Sequence, residues 1–319
     1  MRYIVFIVVT CFMFSGCNND AQKAEANNSI SNEAINEAVA LVTDKKIDWQ
    51  AHRGGRGLMP ENSIAAFLSV LQYTEVTTLE LDICVSKDKF LVVSHEPWMS
   101  AAICNEPDGT PIKEAKEKEY NLYEMKYIDI TEYDCGSRGN ERFPEQKKLS
   151  IGKPRLGDVV TVEDQRSAAK KLPYLHYNIE MKSNPEWYKI YHPAPADFAK
   201  LVVDEIVFLG IRNRVTVQSF DPRALQAVRN IDPTIELALL VENEEGVEAN
   251  IEKLGFTPQI YSPYHKLLTK AVVKEVQGKS MRVIPWTVNE VDRMKELIAM
   301  GVDGIITDYP DRIGKVVVE

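Results

Sequence analysis

Short apolar, β-rich runs recur along the chain, and helical stretches separate most of them. The nine strand-like runs cover residues 48–52, 78–85, 90–94, 175–181, 215–220, 235–241, 259–262, 282–288 and 304–307. The apolar spacing of amphipathic helices is found in residues 63–71, 196–209, 223–228, 267–276 and 291–300. Strands that alternate with helices predict a parallel sheet whose faces are covered by the helices.

One strand-like run is in excess of the eight that a closed barrel needs. The runs 78–85 and 90–94 are too close together for a crossover helix, because parallel strands need a dozen or more linking residues. They are therefore predicted to form an antiparallel hairpin, and a turn centred between Asp88 and Lys89 would place Asp82 across from His95. The other runs predict an α/β fold, a TIM-type (β/α)8 barrel over residues 46–319, since such barrels commonly take about 250 residues.

Residues 96–154 lack clear periodicity and carry several turn signals, which predicts an insertion after the second barrel strand. Its expected place is over the carboxyl-terminal mouth of the barrel, where long loops build active sites. Cys104 and Cys135 both lie in this segment, so they are the expected pair for a disulfide in an oxidising compartment. Cys84 lies in a strand and is expected to be a small buried apolar residue.

The first residues of the chain have the character of an export signal. A short cationic start precedes an apolar run over residues 4–14 that is too short to span a bilayer. The run ends in Phe14-Ser15-Gly16-Cys17, which resembles the lipobox of bacterial lipoproteins, although Phe14 is less usual there. The prediction is a signal peptide over residues 1–16 and lipidation of Cys17, with a plain secretory peptide or a buried strand as the alternatives.

The polar segment 17–45 is expected to be a flexible tether to a membrane. The expected location is the bacterial cell envelope, on the periplasmic side. Hydrophobic residues make up 45% of the chain and the formal net charge is −9. A chain of this composition can bury a full core, and its acidic balance gives it no electrostatic reason to bind nucleic acid.

Polar side chains that could take part in catalysis or binding lie at the carboxyl ends of the first two predicted strands. His52 and Arg53 directly follow the first strand, where a histidine can transfer protons and an arginine can bind a phosphate. Glu80 and Asp82 are two residues apart in the second strand, so both point to one face. If that face is the barrel interior, the two carboxylates require a compensating cation. Solvated strand residues are the alternative interpretation.

Two further motifs complete the set. Glu180 and Lys182 repeat the two-residue spacing on a later strand, so Glu180 would add a third hard oxygen ligand suited to Mg²⁺ or Ca²⁺. Lys182 would bind phosphate through its positive charge, or else form a structural ion pair with a carboxylate. His95 follows the return strand of the hairpin and would be a second acid or base, or else a surface histidine.

Together and in this order, the motifs resemble the glycerophosphodiester phosphodiesterase family over residues 49–311. The matching segments are His52-Arg53-Gly54, Pro60-Glu61-Asn62-Ser63, Glu80-Leu81-Asp82, His95, Asn178-Ile179-Glu180-Met181-Lys182, Ser219-Phe220, Trp286-Thr287-Val288-Asn289 and Gly304-Ile305-Ile306-Thr307-Asp308. The family more often has Asp after the second histidine and Thr after Pro-Glu-Asn, where this chain has Glu96 and Ser63. Both changes keep the functional group of the side chain, a carboxylate at residue 96 and a hydroxyl at residue 63.

The resemblance implies an enzyme that hydrolyses glycerophosphodiesters to an alcohol and glycerol 3-phosphate, with one divalent cation, Mg²⁺ or Ca²⁺, as cofactor. The roles it implies are general acid and base for His52 and His95, metal ligation for Glu80, Asp82 and Glu180, phosphate binding for Arg53 and Lys182, contact with the alcohol for Trp286, and support near the metal for Glu61.

Two other functions remain open at the level of sequence. A lysophospholipase D-like enzyme would use the same site on a lipid headgroup, but the insertion shows no long exposed apolar helix to receive an acyl chain. A non-catalytic lipoprotein that binds phosphorylated ligands would be expected to lack at least one of the metal or acid–base positions, and all are present. Whether water attacks directly, or a glycerol hydroxyl attacks through a cyclic phosphate, is also open.

Overall fold

Parallel strands form a barrel in the structure, a computed structural model that describes residues 46–317. The signal peptide, the lipidated Cys17 and the tether predicted from sequence lie outside the described residues. The strands are β1 (Asp48–Ala51), β2 (Val76–Val85), β3 (Leu91–Val93), β4 (His176–Met181), β5 (Val215–Ser219), β6 (Glu236–Val241), β7 (Ile260–Pro263), β8 (Arg282–Val283) and β9 (Gly304–Thr307). Between residues 46 and 317, no helix is long and apolar enough to cross a membrane.

Eight of these strands pair in parallel in the order β8-β7-β6-β5-β4-β2-β1-β9. Backbone hydrogen bonds join the two ends of this row, from the Asp303 amide to the Val283 carbonyl (2.8 Å) and from the Ile306 amide to the Pro285 carbonyl (3.0 Å). The TIM-type barrel predicted from the alternation of strands and helices is therefore confirmed.

Helices cover the outside of the barrel and pack on its main apolar core. They are α1 (Ile64–Val70), α3 (Leu156–Lys170), α4 (Pro195–Phe208), α5 (Pro222–Ile231), α6 (Val247–Leu254), α7 (Lys270–Gly278), α8 (Val291–Met300) and α9 (Gly314–Val317), whereas the short helix α2 (Tyr127–Ile130) lies in the insertion and packs in a separate apolar cluster. The sequence did not predict the four-residue helices α2 and α9, nor α3 and α6. In the two longer ones, the buried face carries polar side chains, Glu163 and Ser167 in α3 and Asn250 in α6, which interrupt the apolar spacing.

The hairpin between β2 and β3 forms as predicted, but the predicted register is wrong by one residue. Ile83 pairs with Val93, and the Ser94 amide donates a 3.0 Å hydrogen bond to the Asp82 carbonyl, so Ser94 and not His95 lies across from Asp82. The turn contains three residues and not two, because Lys89 adopts a left-handed conformation with φ of 68°. A type I turn followed by a left-handed residue is a common three-residue hairpin connection.

The barrel interior has a polar half and an apolar half. Even-numbered residues of the parallel strands share the inward face, since Glu80 pairs with Asn178 and Asp82 pairs with Glu180 in the parallel register. The apolar half contains Ala238, Ile260, Ile284 and Ile306. In the polar half, Asn178 donates hydrogen bonds to Gln50 (2.8 Å) and Gln218 (3.0 Å), and Gln218 donates to Glu80 (2.8 Å).

The insertion lies over the loops that follow the barrel strands and has a small apolar core of its own. Gln146 donates a 2.7 Å hydrogen bond to the Arg56 carbonyl after β1, and Asn121 donates one of 2.7 Å to the Ile190 carbonyl after β4. Cys104 and Cys135 form a disulfide across this segment, and Cys84 is a free, buried thiol. The insertion therefore covers the carboxyl-terminal mouth.

Replacing Cys104 and Cys135 together with Ala should lower the free energy of unfolding by about 3–4 kcal/mol, because the bond closes a long loop in the unfolded chain. The two cysteines are 31 positions apart. Denaturant titration with and without reductant measures this effect, and reductant should destabilise only the parent protein. Equal stability of the parent in both conditions, or unreduced peptides in which both thiols are free, would contradict the prediction.

Candidate active site

Three carboxylates from two adjacent strands meet inside the mouth of the barrel. Glu80 and Asp82 project from the inward face of β2, and Glu180 is the direct register partner of Asp82 on β4. One oxygen from each lies within 4.8 Å of the others, and all three residues are buried. Three buried carboxylates so close together repel one another unless a cation lies between them.

Burial and the neighbouring carboxylates raise the pKa of two members of this cluster, whereas the Arg53 charge outweighs burial and lowers the pKa of Asp82. Burial raises the pKa of Glu80, and the charges of Asp82 and Glu180 raise it further. Burial also raises the pKa of Glu180, although the Lys182 charge opposes this. The Oδ1 atom of Asp82 is buried without a hydrogen-bond partner among the described residues. Hard oxygen ligands with an unused lone pair fit a divalent cation such as Mg²⁺ or Ca²⁺.

The balance of charges around the cluster also favours a bound cation. Six carboxylates and four cationic side chains lie in and around the cluster among the described residues, so two negative charges remain if all of these groups are ionised and the histidines are neutral. The carboxylates are Glu61, Glu80, Asp82, Glu96, Glu180 and Asp308, and the cations are Arg53, Arg56, Lys153 and Lys182. One divalent cation would balance this difference.

The loop after β1 places Arg53 against the cluster. Arg53 has a left-handed backbone with φ of 51°, and its amide donates a 3.0 Å hydrogen bond to Glu80. Its guanidinium lies 2.9 Å from Glu61 and 3.1 Å from Asp82. Gly54 follows with φ of 77°, and a Cβ atom there would lie 2.8 Å from the Cβ of Ala66, so the loop can approach α1 only with glycine.

Lys182 contacts the cluster directly, and Glu61 contacts it through Arg53. The Lys182 Nζ donates a 2.7 Å hydrogen bond to Glu180 and lies 3.8 Å from Asp82. Burial alone would raise the pKa of Glu61, but the Arg53 and Arg56 charges outweigh it and lower that pKa. Glu61 therefore stays ionised and holds both guanidinium groups near the cluster.

His52 is held by a carboxylate that the sequence analysis did not assign a role. Its Nδ1 lies 2.6 Å from Asp308 at the end of β9, and its Nε2 lies 3.8 Å from Glu80. Burial lowers the pKa of His52 to about 4, with the Arg56 charge adding to the effect and Asp308 opposing it. With Asp308 on Nδ1, the other ring nitrogen faces the cluster.

His95 forms a second histidine–carboxylate pair at the edge of the mouth. Its Nδ1 lies 2.7 Å from Glu96, and both side chains are 30% exposed, compared with 10% for the side chain of His52. Although burial acts in the opposite direction, the hydrogen bond from His95 lowers the pKa of Glu96 to about 2. The two histidines thus approach the cluster from different strands, despite the error in the predicted hairpin register.

A cavity of about 100 Å³ lies between these groups and is lined by both histidines, Arg53, Lys182 and Trp286. The Trp286 indole donates a 2.9 Å hydrogen bond to the Ser262 carbonyl and packs edge-on against Phe220, with ring centres 5.3 Å apart. A larger cavity of about 460 Å³ opens at the amino-terminal end of the barrel, but none of the carboxylates or histidines just described lines it. The chemistry therefore belongs to the smaller cavity.

Two further polar residues, Arg56 and Asn289, contact Asp308. Arg56 lines the cavity and donates a 2.7 Å hydrogen bond to Asp308. Asn289 also donates to Asp308, at 2.8 Å. Asp308 ends a barrel strand, which is the position that marks catalytic groups in this fold, so that rule could have identified it. Arg56 lies in an irregular loop, and no spacing signal marks it.

An eight-stranded barrel with carboxylates, histidines and cations at the carboxyl ends of its strands defines a barrel enzyme with a site for phosphate chemistry. Residues 52–312 match the model of the glycerophosphoryl diester phosphodiesterase family, and the chain belongs to this family. The family predicted from the sequence motifs is thus confirmed, as is an enzyme of this class. A glycerophosphodiester phosphodiesterase of Bacillus altitudinis is 28% identical over 270 residues, which cover 83% of this chain and 96% of that protein.

Solved structures of similar proteins share the fold. A structure from Silicibacter pomeroyi, described as a candidate glycerophosphoryl diester phosphodiesterase, superposes with a TM-score of 0.76 at 28% identity, covering 86% of this chain and 94% of that one. A phosphodiesterase of Oleispira antarctica, solved with its product sn-glycerol-3-phosphate, superposes with a TM-score of 0.67 at 18% identity, covering 87% and 99%.

Proposed function

We propose that this enzyme hydrolyses glycerophosphodiesters to an alcohol and glycerol 3-phosphate, with a divalent cation held by Glu80, Asp82 and Glu180. The observation that carries the proposal is the meeting of these buried carboxylates with two separate histidine–carboxylate pairs in one cavity. The Oleispira antarctica relative that binds sn-glycerol-3-phosphate supports the same product here.

Phosphodiester cleavage builds negative charge on the phosphate oxygens, and this site has positive groups to receive it. When bound, the cation would polarise a phosphoryl oxygen as a Lewis acid. Arg53 and Lys182 line the cavity and would bind the remaining phosphate oxygens. Trp286, with its indole fixed by Ser262, would pack against the alcohol portion.

The two histidines divide the proton transfers in this proposal. His52 is the more buried, and its Nε2 faces Glu80, so it would take the proton from the attacking nucleophile. His95 lies at the more exposed edge, where the leaving alcohol must exit to solvent, so it would donate a proton to the leaving oxygen. Asp308 and Glu96 would hold the two rings in place, as carboxylates do for catalytic imidazoles.

The assay that tests this function compares two kinds of diester. Purified protein is given a deacylated glycerophosphodiester or its singly acylated counterpart, with Mg²⁺ or Ca²⁺, and the released phosphate monoester is identified. The proposal expects glycerol 3-phosphate from the deacylated substrate at a rate at least about tenfold above the acylated one. Faster cleavage of the acylated substrate would replace it with a lysophospholipase D activity, and binding without turnover would refute an enzymatic role.

Replacing Trp286 with Ala should raise KM about tenfold and change kcat much less, because the indole is placed to bind the alcohol and not to transfer protons. Steady-state kinetics on one glycerophosphodiester measure both constants. Trp187→Ala is a matched control, because this tryptophan packs on Trp98 and Tyr191 and does not line the cavity. A fall in kcat with unchanged KM would contradict the proposed role.

We also propose that lipidated Cys17 anchors the enzyme to the bacterial cell envelope, facing the periplasm. The support is the sequence of residues 1–17, whose short apolar run ends in a lipobox-like segment. Fractionation of cells that express the parent and Cys17→Ala proteins tests the anchor. The parent should be in the membrane fraction, and a parent found free in the periplasmic fraction would refute it.

A further inference from the structure

The insertion returns to the barrel alongside β3, and its last residues are fixed to that strand. The Val93 amide donates a 2.8 Å hydrogen bond to the Pro154 carbonyl, and Arg155 forms an antiparallel bridge with Val92. This pairing brings Lys153 to the end of β3, where the segment with His95 begins.

Lys153 is buried, with 7% of its surface exposed, and its ammonium group contacts Ser94. Nζ donates a 2.8 Å hydrogen bond to the Ser94 hydroxyl, which in turn donates one of 2.6 Å to the Glu96 carbonyl. The Ser94 amide is bound to the Asp82 carbonyl at 3.0 Å. Lys153 is therefore linked, through one hydroxyl, to the backbone on both sides of His95.

A buried ammonium group is costly unless negative charge compensates it. Within residues 46–317, no carboxylate lies within 4 Å of the Lys153 Nζ, and its hydrogen bond is to a neutral hydroxyl. Burial lowers the pKa of Lys153, and the charges of Glu96 and Glu61 oppose this from a longer distance. A methionine would fill a similar volume at lower cost, so packing alone does not explain a lysine here.

We infer that Lys153 is a positioning residue that fixes the turn from Ser94 to Glu96 and so keeps the His95–Glu96 pair oriented for catalysis. This inference rests on the proposed role of His95 as proton donor. Lys153 does not line the cavity, so it would act through His95 and not by contact with substrate. The insertion would then contribute to the chemistry as well as cover the mouth.

A comparison of leaving groups tests the inference. Lys153→Met should lower kcat about 10- to 100-fold on a glycerophosphodiester with a poor leaving alcohol, since a small misplacement of a catalytic group has effects of this size. KM should change by less than about threefold. On a nitrophenyl diester, whose leaving group needs little protonation, the loss should be below about threefold. Equal losses on the two substrates would overturn the inference.

Combined variants separate this inference from the proposed function. If Lys153 acts through His95, Lys153→Met should cause no further loss in a His95→Ala background, and a full additional loss would overturn it. A His95→Ala variant with no leaving-group dependence would refute the proton-donor role itself. The additivity result would still decide whether Lys153 acts through His95.

Matched variants control for a loss of activity that is caused by misfolding. Lys116→Met removes an exposed lysine of the same insertion and should leave both rates unchanged. If Lys153→Met fails to fold, Ser94→Ala breaks the same chain of hydrogen bonds, and it should show the same dependence on the leaving group. A folded Ser94→Ala protein with equal losses on the two substrates would count against the inference.

Discussion

Glu180→Gln should lower turnover on the order of a thousandfold, because a catalytic divalent cation contributes several kcal/mol of transition-state stabilisation. Glutamine has nearly the same shape and can still accept the hydrogen bond from Lys182, so the change removes mainly charge from the three-carboxylate cluster. The cluster then holds the cation less tightly. Turnover and cation affinity, measured by kinetics and by calorimetry with Mg²⁺ or Ca²⁺, should fall together.

Chelation should reproduce this loss in the parent protein, and added cation should reverse it. Glu186→Gln is a matched control, since Glu186 lies on the loop after the same strand but is exposed and outside the cavity. Full turnover in excess chelator would remove the cation from the mechanism. Loss of turnover in Glu180→Gln with unchanged cation affinity would show that Glu180 has another role.

His52→Ala and His95→Ala should each lower turnover of a glycerophosphodiester by roughly 10²- to 10⁴-fold, the usual contribution of a general acid or base. On a nitrophenyl diester, His95→Ala should recover much of its rate, because that leaving group departs with little protonation. His52→Ala should stay slow, because the attacking nucleophile still has to lose its proton. Rates of both variants on both substrates are the measurement.

Cation binding provides the control for the histidine variants, because neither ring belongs to the carboxylate cluster. Both variants should bind Mg²⁺ or Ca²⁺ nearly as well as the parent. Equal recovery of the two variants on the nitrophenyl diester would contradict separate roles. Recovery of His52→Ala alone would exchange the two assignments, and a fully active His95→Ala would end the two-histidine mechanism.

The barrel could be predicted because its strands are apolar on the side that packs against the helices. Leu79 and Leu81 in β2 pack in the main core, while Glu80 points inward, so the strand is recognisable even though it carries charge. Helices α3 and α6 were missed for the opposite reason. Their buried faces carry Glu163 and Asn250, which form hydrogen bonds with Tyr177 and Tyr261 on the barrel strands that the sequence does not reveal.

The same reasoning explains which parts of the site were predicted. The spacing of Glu80 with Asp82 and of Glu180 with Lys182 fixes one face of each strand, so the cluster could be derived from local sequence. The hairpin register could not, because Lys89 occupies a left-handed position where glycine would have been the signal. The contacts of Asp308 with His52 join residues 256 positions apart, and only the closed barrel brings them together.

The most direct test of this account is a crystal structure of the protein with Ca²⁺ and sn-glycerol 3-phosphate. We expect the cation between Glu80, Asp82 and Glu180, at roughly the 2.3–2.6 Å typical of calcium–oxygen bonds. We expect the phosphate within hydrogen-bond distance of Arg53 and Lys182, with His52 and His95 on different sides of it. A cation bound away from the three carboxylates, or a phosphate that contacts neither histidine, would contradict the account.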